Sequence, residues 1–167
     1  LPECRRQLPE ALGHFAAGLV GEGSECFGFD DALSRDHSFG PRVCIWLDGE
    51  DCRRFAPGLD ALWRGLPDHF EGFARPRPRP QEGKRSGVFV VDEFYTGLLG
   101  VPEAPDRPEG WLAIPEPRLA AAVNGAVWCD GPGRFTAVRQ RLLAHYPEDV
   151  LRYYLARQAA LAAQTGQ

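Results

Sequence analysis

The sequence contains no methionine, no Cys-x-x-Cys pair and no internal repeat. It also has no apolar run of the ~18–20 residues that a bilayer-spanning helix needs. Each absence removes a class of protein. Without a long apolar run, no transmembrane helix and no membrane partner are expected. The opening residues LPECRRQLPE lack the basic-then-apolar order of a signal peptide, so no secretory leader is read there. With Leu at position 1 and no Met, the sequence reads as a fragment or a processed form. The five cysteines (Cys4, Cys26, Cys44, Cys52 and Cys129) are odd in number and scattered. That spacing suits neither a disulfide framework nor a local zinc site, and it fits a reduced, cytoplasmic protein. Cys44 and Cys129 read as small core hydrophobes. Positive charge is also short: the formal net charge is −4. Broad electrostatic binding to nucleic acid or to anionic membrane is therefore not expected.

What is present is an ordinary globular composition, 44% hydrophobic and 25% charged over 167 residues. That length suits one domain able to bury about two-thirds of its unfolded surface. Short apolar runs at 16–20 (AAGLV), 42–47 (RVCIWL) and 87–91 (GVFVV) predict strands, the second ended by a turn at Asp48-Gly49. Leu59, Leu62, Trp63 and Leu66 predict a short amphipathic helix over about 58–65. Asp92 is expected to cap a helix running to Leu99, stopped by Gly100. Trp111–Ile114 reads as extended. Pro115 then opens a helix carrying Leu119, Ala120, Val123, Ala126 and Val127 on one side. After the break at Gly131-Pro132-Gly133, Phe135, Val138, Leu142 and Leu143 mark another helix. Pro147, Glu148 and Asp149 open a last helix whose apolar stripe holds Val150, Leu151, Tyr154, Leu155, Ala159, Leu161 and Ala162. Strands early and helices late predict an α/β (α+β) domain. Residues 1–110 form its α/β core, with an Arg/Pro-rich exposed loop at 75–87, and 111–167 a helical part packed on the same domain. The loop has a second reading, as a cationic arm for a phosphate or an acidic partner.

The chemistry concentrates in GEGSECFGFDDALSRDHSFGPR, residues 21–42. A Gly23-Ser24 turn after a buried strand can offer backbone N–H groups and a hydroxyl to phosphate oxygens. Two carboxylates at i and i+2 on a strand share a face and can hold Mg2+ against a nucleotide's phosphates. The chain offers Asp36-His37-Ser38, one carboxylate and one hydroxyl. Asp30, Asp31 and Asp48 are candidate substitutes, although turn and capping chemistry explains the first two. His37 is a candidate base or ligand. Arg42 can meet a phosphate or pair with Asp36.

The segment AAGLVGEGSECFGFDDALSRDHSFGPRVCIWL (16–47) resembles an uncharacterised bacterial family of nucleotidyltransferase-like proteins, a domain of unknown function. The likeness continues through WLAIPEPRLAAAVNGAVWCDGPGRFTAVRQRLLAHYPEDV (111–150) to the final TGQ. The resemblance implies a small mixed sheet with helices and two-metal transfer of a nucleotidyl group from a nucleoside triphosphate. It makes Gly23 and Ser24 the phosphate turn and Asp36 the first metal ligand. Three departures stand out. Ser38 replaces the second Asp, Ala32 stands where an acidic residue is common, and relatives continue past TGQ into a further helical segment. Three functions follow as expectations. The first is a nucleotidyltransferase acting on a small molecule or protein, with Asp36, His37 and Ser38 at the reacting centre. The second is a non-catalytic module binding a nucleotide, a metabolite or a partner protein. The third is an enzyme of other chemistry in the same pocket, using Asp36, His37 or a cysteine.

Overall fold

The computed structural model describes residues 1–28, 40–76, 83–144 and 147–165. Four strands form a mixed sheet: β1 (Phe15–Leu19), β2 (Cys44–Leu47), β5 (Gly87–Val90) and β6 (Ala126–Asp130), in the order β5-β2-β1-β6. β1 runs antiparallel to β2 (Phe15 opposite Leu47, Gly18 opposite Cys44) and to β6, with a bulge in the second pairing between Ala17 and Gly18. β2 and β5 are parallel, Cys44 facing Gly87 and Leu47 facing Val90. A minor hairpin of β3 (His69–Phe70) and β4 (Phe73–Ala74) lies on the connection between them.

Helices cover both faces of the sheet, so its central strands are continuous apolar runs rather than alternations. On one face, Phe15, Ala17, Ile45 and Leu47 pack against Cys4 of α1 (Pro2–Gln7) and Phe55 and Leu59 of α3 (Gly49–Gly65). On the other, Ala16, Cys44 and Trp46 meet α4 (Val91–Leu99) and α7 (Arg134–Leu143). Buried residues of α5 (Pro108–Leu112), α6 (Glu116–Val123) and α8 (Glu148–Thr165) join that second core. The short α2 (Ser24–Phe27) follows β1 directly. The architecture is the expected α/β one, a small mixed sheet followed by a helical C-terminal part.

Several local expectations are corrected. The helix expected from about residue 58 starts at Gly49, with Asp48 at its N-cap, and runs through Pro57. Cys52, Phe55, Leu59 and Leu62 keep helical spacing along that whole length and face the core. Asp92 does not cap α4. Val90 is the N-cap, and the Asp92 carboxylate accepts a hydrogen bond from Arg134. Trp111 lies on α5, opened by Pro108, and its Nε1 donates to the Pro105 carbonyl at 2.8 Å. Ala126 and Val127 belong to β6, because α6 ends at Val123 and Asn124-Gly125 turns the chain back to pair with β1. Of the stripe on α8, Val150 and Tyr154 are buried, whereas Leu151, Leu155 and Leu161 are 45%, 61% and 46% exposed.

Candidate functional site

The antiparallel pairing of β1 with β2 decides where a site can form. It sets the turn leaving β1 beside the residues entering β2, and the Cys44 thiol reaches the carbonyls of Val20 and Arg85 at 4.0 and 3.5 Å. At this end of the sheet lies a cleft of about 330 Å3. Its walls include Gly21–Gly23 after β1, Arg42 before β2, Lys84 and Arg85 before β5, and Phe94 and Gly97 of α4. Its size falls within the range of small-molecule sites. Gly23 and Arg42 thus line one cleft, whereas Ser24, which opens α2, is not among its lining residues. Asp30, Asp31, Asp36, His37 and Ser38 lie outside the described residues.

Glu25 is the group that motif reasoning missed. Arg42 Nη1 donates to Glu25 Oε1 at 2.7 Å, with the Arg42 side chain 5% exposed and Glu25 22%. A Cβ added to Gly23 would stand 2.2 Å from a Glu25 carboxylate oxygen. Glycine at 23 therefore leaves room for a carboxylate folded back over the turn. The position expected to meet a phosphate already faces an anion, and the expected phosphate-binding cation already has a carboxylate partner. Such a charge-assisted pair, drawn out of water, fixes the geometry of both groups.

The rest of the rim carries charge of both signs. Arg118 lies 3.3 Å from Glu22 and donates to the Gly97 carbonyl at 3.3 Å. The Lys84 ammonium sits 4.6 Å from the centre of the Phe89 ring and donates to the Val88 carbonyl. Glu93 lines the same cleft. Lys84 and Arg85 belong to the stretch expected to be a solvated loop. Their placement follows from β5 lying parallel to β2, which puts the residues before both strands at one end.

Asp48 and Asp92 are elsewhere. Both follow the far ends of parallel strands and meet Arg134, whose Nε is 3.3 Å from Asp48 Oδ1 but out of line for a hydrogen bond. Asp48 is separated from Arg42 by the length of β2 and does not line the cleft. Among the described residues no group of three His, Cys, Asp or Glu side chains could hold a metal ion. Burial pushes the Cys26 thiol up to about 11 and the Cys44 thiol up to about 12, and raises Cys4 and Cys129. Thiols so shifted stay protonated near neutral pH and are poor nucleophiles, which weighs against cysteine chemistry in this cleft. A larger hollow, about 630 Å3, shares Lys84 with the cleft. Its Arg75 is committed to the fold: it stacks 4.5 Å from the Trp63 ring and donates to the carbonyls of Trp63, Leu66 and Pro67. The smaller cleft is the better candidate, because Gly21–Gly23 and Arg42 of the 21–42 motif line it.

Residues 111–167 match the model of a family described as a domain of unknown function (DUF4037). No curated protein and no solved structure matches the chain. The matched stretch takes in α6, β6, α7 and α8, and contributes Arg118 to the cleft. No helix among the described residues is long and apolar enough to cross a membrane.

Proposed function

We propose that the cleft binds a nucleoside triphosphate with Mg2+ and that the protein is a nucleotidyltransferase-like protein of the cytoplasm. The observation that carries this reading is the placement of Gly21–Gly23, the glycine turn leading into Ser24 and α2, beside Arg42, Lys84 and Arg85 in one cleft. Backbone N–H groups of such a turn and three cations suit a triphosphate. Asp36, six residues before Arg42, is the proposed metal ligand, with phosphate oxygens supplying further ligands. Bound Mg2+ neutralises charge on the phosphates. Ser38 brings no negative charge, so binding is expected to exceed transfer. Calorimetric titration of ATP, GTP, CTP and UTP, each with and without Mg2+, tests this directly. Mg2+-dependent binding of at least one is expected. Binding of none, together with a protein that co-purifies stoichiometrically, would move the reading to an interaction module.

The Glu25–Arg42 pair gives the titration a sign. Glu25→Gln removes the resident negative charge while keeping an oxygen for Arg42. Triphosphate affinity is expected to rise about fivefold to tenfold, the scale of one charge-assisted contact. Arg42→Met is expected to lower it and to destabilise the fold, because Glu25 is left without this partner. Weaker binding in Glu25→Gln would make Glu25 a ligand rather than a competitor.

A further inference from the structure

We infer that Asn124 is the positioning residue of the Gly21–Ser24 turn, an inference that rests on the nucleotide reading for its functional consequence. Gly21 is the second residue beyond the last β1–β6 pairing, Leu19 with Ala126. There the side-chain amide of Asn124 takes over from the ladder. The Gly21 N–H donates to Asn124 Oδ1 at 3.0 Å, and Asn124 Nδ2 donates to the Gly21 carbonyl at 2.6 Å. A primary amide has one acceptor and one donor edge, so it can satisfy both backbone groups of one residue as a peptide would. The next residue holds the other end of the segment: the Gly125 N–H donates to the Cys26 carbonyl at 2.8 Å. Glycine is required at 125. Its φ is +64°, and an added Cβ would stand 2.0 Å from the Leu19 carbonyl oxygen.

The Asn124-Gly125 turn is itself clamped from α7. The Arg139 guanidinium donates to the carbonyls of Val123, Asn124 and Gly125 at 2.8 to 3.2 Å. These carbonyls close α6, and a cation at a helix C-terminus complements its dipole. A continuous path thus runs from α7 through Arg139 and the Asn124-Gly125 turn to Gly21 and Cys26, which bound the segment lining the cleft. Asn124 does not line the cleft, so its influence passes through Gly21.

The test uses the full chain with Asn124→Ala and Asn124→Asp, the latter keeping an acceptor but placing a carboxylate against the Gly21 carbonyl. Ala122→Gly, buried on the same helix, is the control for general loosening. Two readouts are taken: amide exchange at Gly21 and Cys26 by NMR, and calorimetric Kd for ATP with Mg2+. Both Asn124 variants are expected to speed Gly21 exchange and raise Kd about tenfold, the scale of two lost hydrogen bonds. Ala122→Gly is expected to leave both near wild type. Gly21 exchange no faster in the Asn124 variants than in the control would overturn the inference, as would unchanged Kd despite faster exchange. If the wild type binds no triphosphate, the nucleotide reading fails, and the exchange data alone decide whether Asn124 holds the turn.

Discussion

Phe135→Ala is expected to cost about 3–5 kcal/mol of folding stability, the largest loss foreseen for a single side chain here. Phe135 is fully buried and stacks on Trp46 at 3.9 Å and on Tyr95 at 5.1 Å between ring centres. Trp46 belongs to central strand β2 and Tyr95 to α4, so one ring ties the sheet to two helices. Its backbone takes part as well, accepting the Tyr95 hydroxyl at 3.1 Å. Truncation removes the transfer free energy of the ring, leaves a cavity between stiff neighbours, and forfeits aromatic pairing worth about 0.5–1.5 kcal/mol per contact. Against a total stability of roughly 5–15 kcal/mol, that is a fifth of the margin or more. Urea unfolding should show a lower midpoint with an unchanged slope. Phe135→Leu, which keeps most of the volume, should cost about 1.5 kcal/mol. An Ala variant losing under 1 kcal/mol would mean that Trp46 and Tyr95 close the gap without it.

The strands of this core were legible because β2 is buried throughout, β5 is buried or half-buried along its length, and both stand out as uninterrupted apolar runs, CIWL and GVFV. β6 was not. Its residues AVWCD are half exposed at the sheet edge, Trp128 is 58% exposed, and the preceding helical periodicity runs on into Ala126 and Val127. The Asn124-Gly125 dipeptide was the available signal, since it marks a turn. α8 shows the converse. A continuous apolar stripe promised burial, yet helical periodicity records which residues share a face, not whether anything covers it. At the candidate site, Gly23 and Arg42, singled out from the 21–42 motif, line the cleft. Glu25 and Arg118 were not singled out, and Lys84 and Arg85 only as part of a cationic arm at 75–87, because they enter the cleft from three separate stretches that strand order alone brings together. Asn124 lies about a hundred residues from the turn it holds, and no local pattern announces such a contact.

Ser38→Asp is expected to raise nucleotidyl transfer roughly 10³-fold over the wild type, measured as Mg2+-dependent release of pyrophosphate from the triphosphate that binds. The argument is one of charge. Negative charge on the phosphates must be neutralised as the nucleotidyl group moves, and each carboxylate that fixes a metal ion contributes to that neutralisation. Asp36 alone supplies one negative charge at i, and the residue at i+2 supplies a neutral hydroxyl. On the proposed reading, a carboxylate restored at 38 should change ground-state binding less than transfer, since the turn and the cations would hold the triphosphate without it. The variant should therefore move kcat far more than Kd. Ser38→Ala separates the alternatives: if the hydroxyl contributes little, it matches the wild type, and the whole gain in the Asp variant is carboxylate chemistry. A wild type that already turns over at an ordinary rate, with no gain from Ser38→Asp, would mean that another carboxylate serves. Glu22, Glu25 and Glu93 line the cleft, and a Glu→Gln series would find which one. Of the three, Glu25 makes the tighter and more buried ion pair, 2.7 Å to Arg42 against 3.3 Å from Glu22 to Arg118, so its loss should then abolish transfer rather than tighten binding. The two Glu25→Gln outcomes are opposite in sign, and one substitution decides whether that carboxylate competes with the phosphate or works beside it.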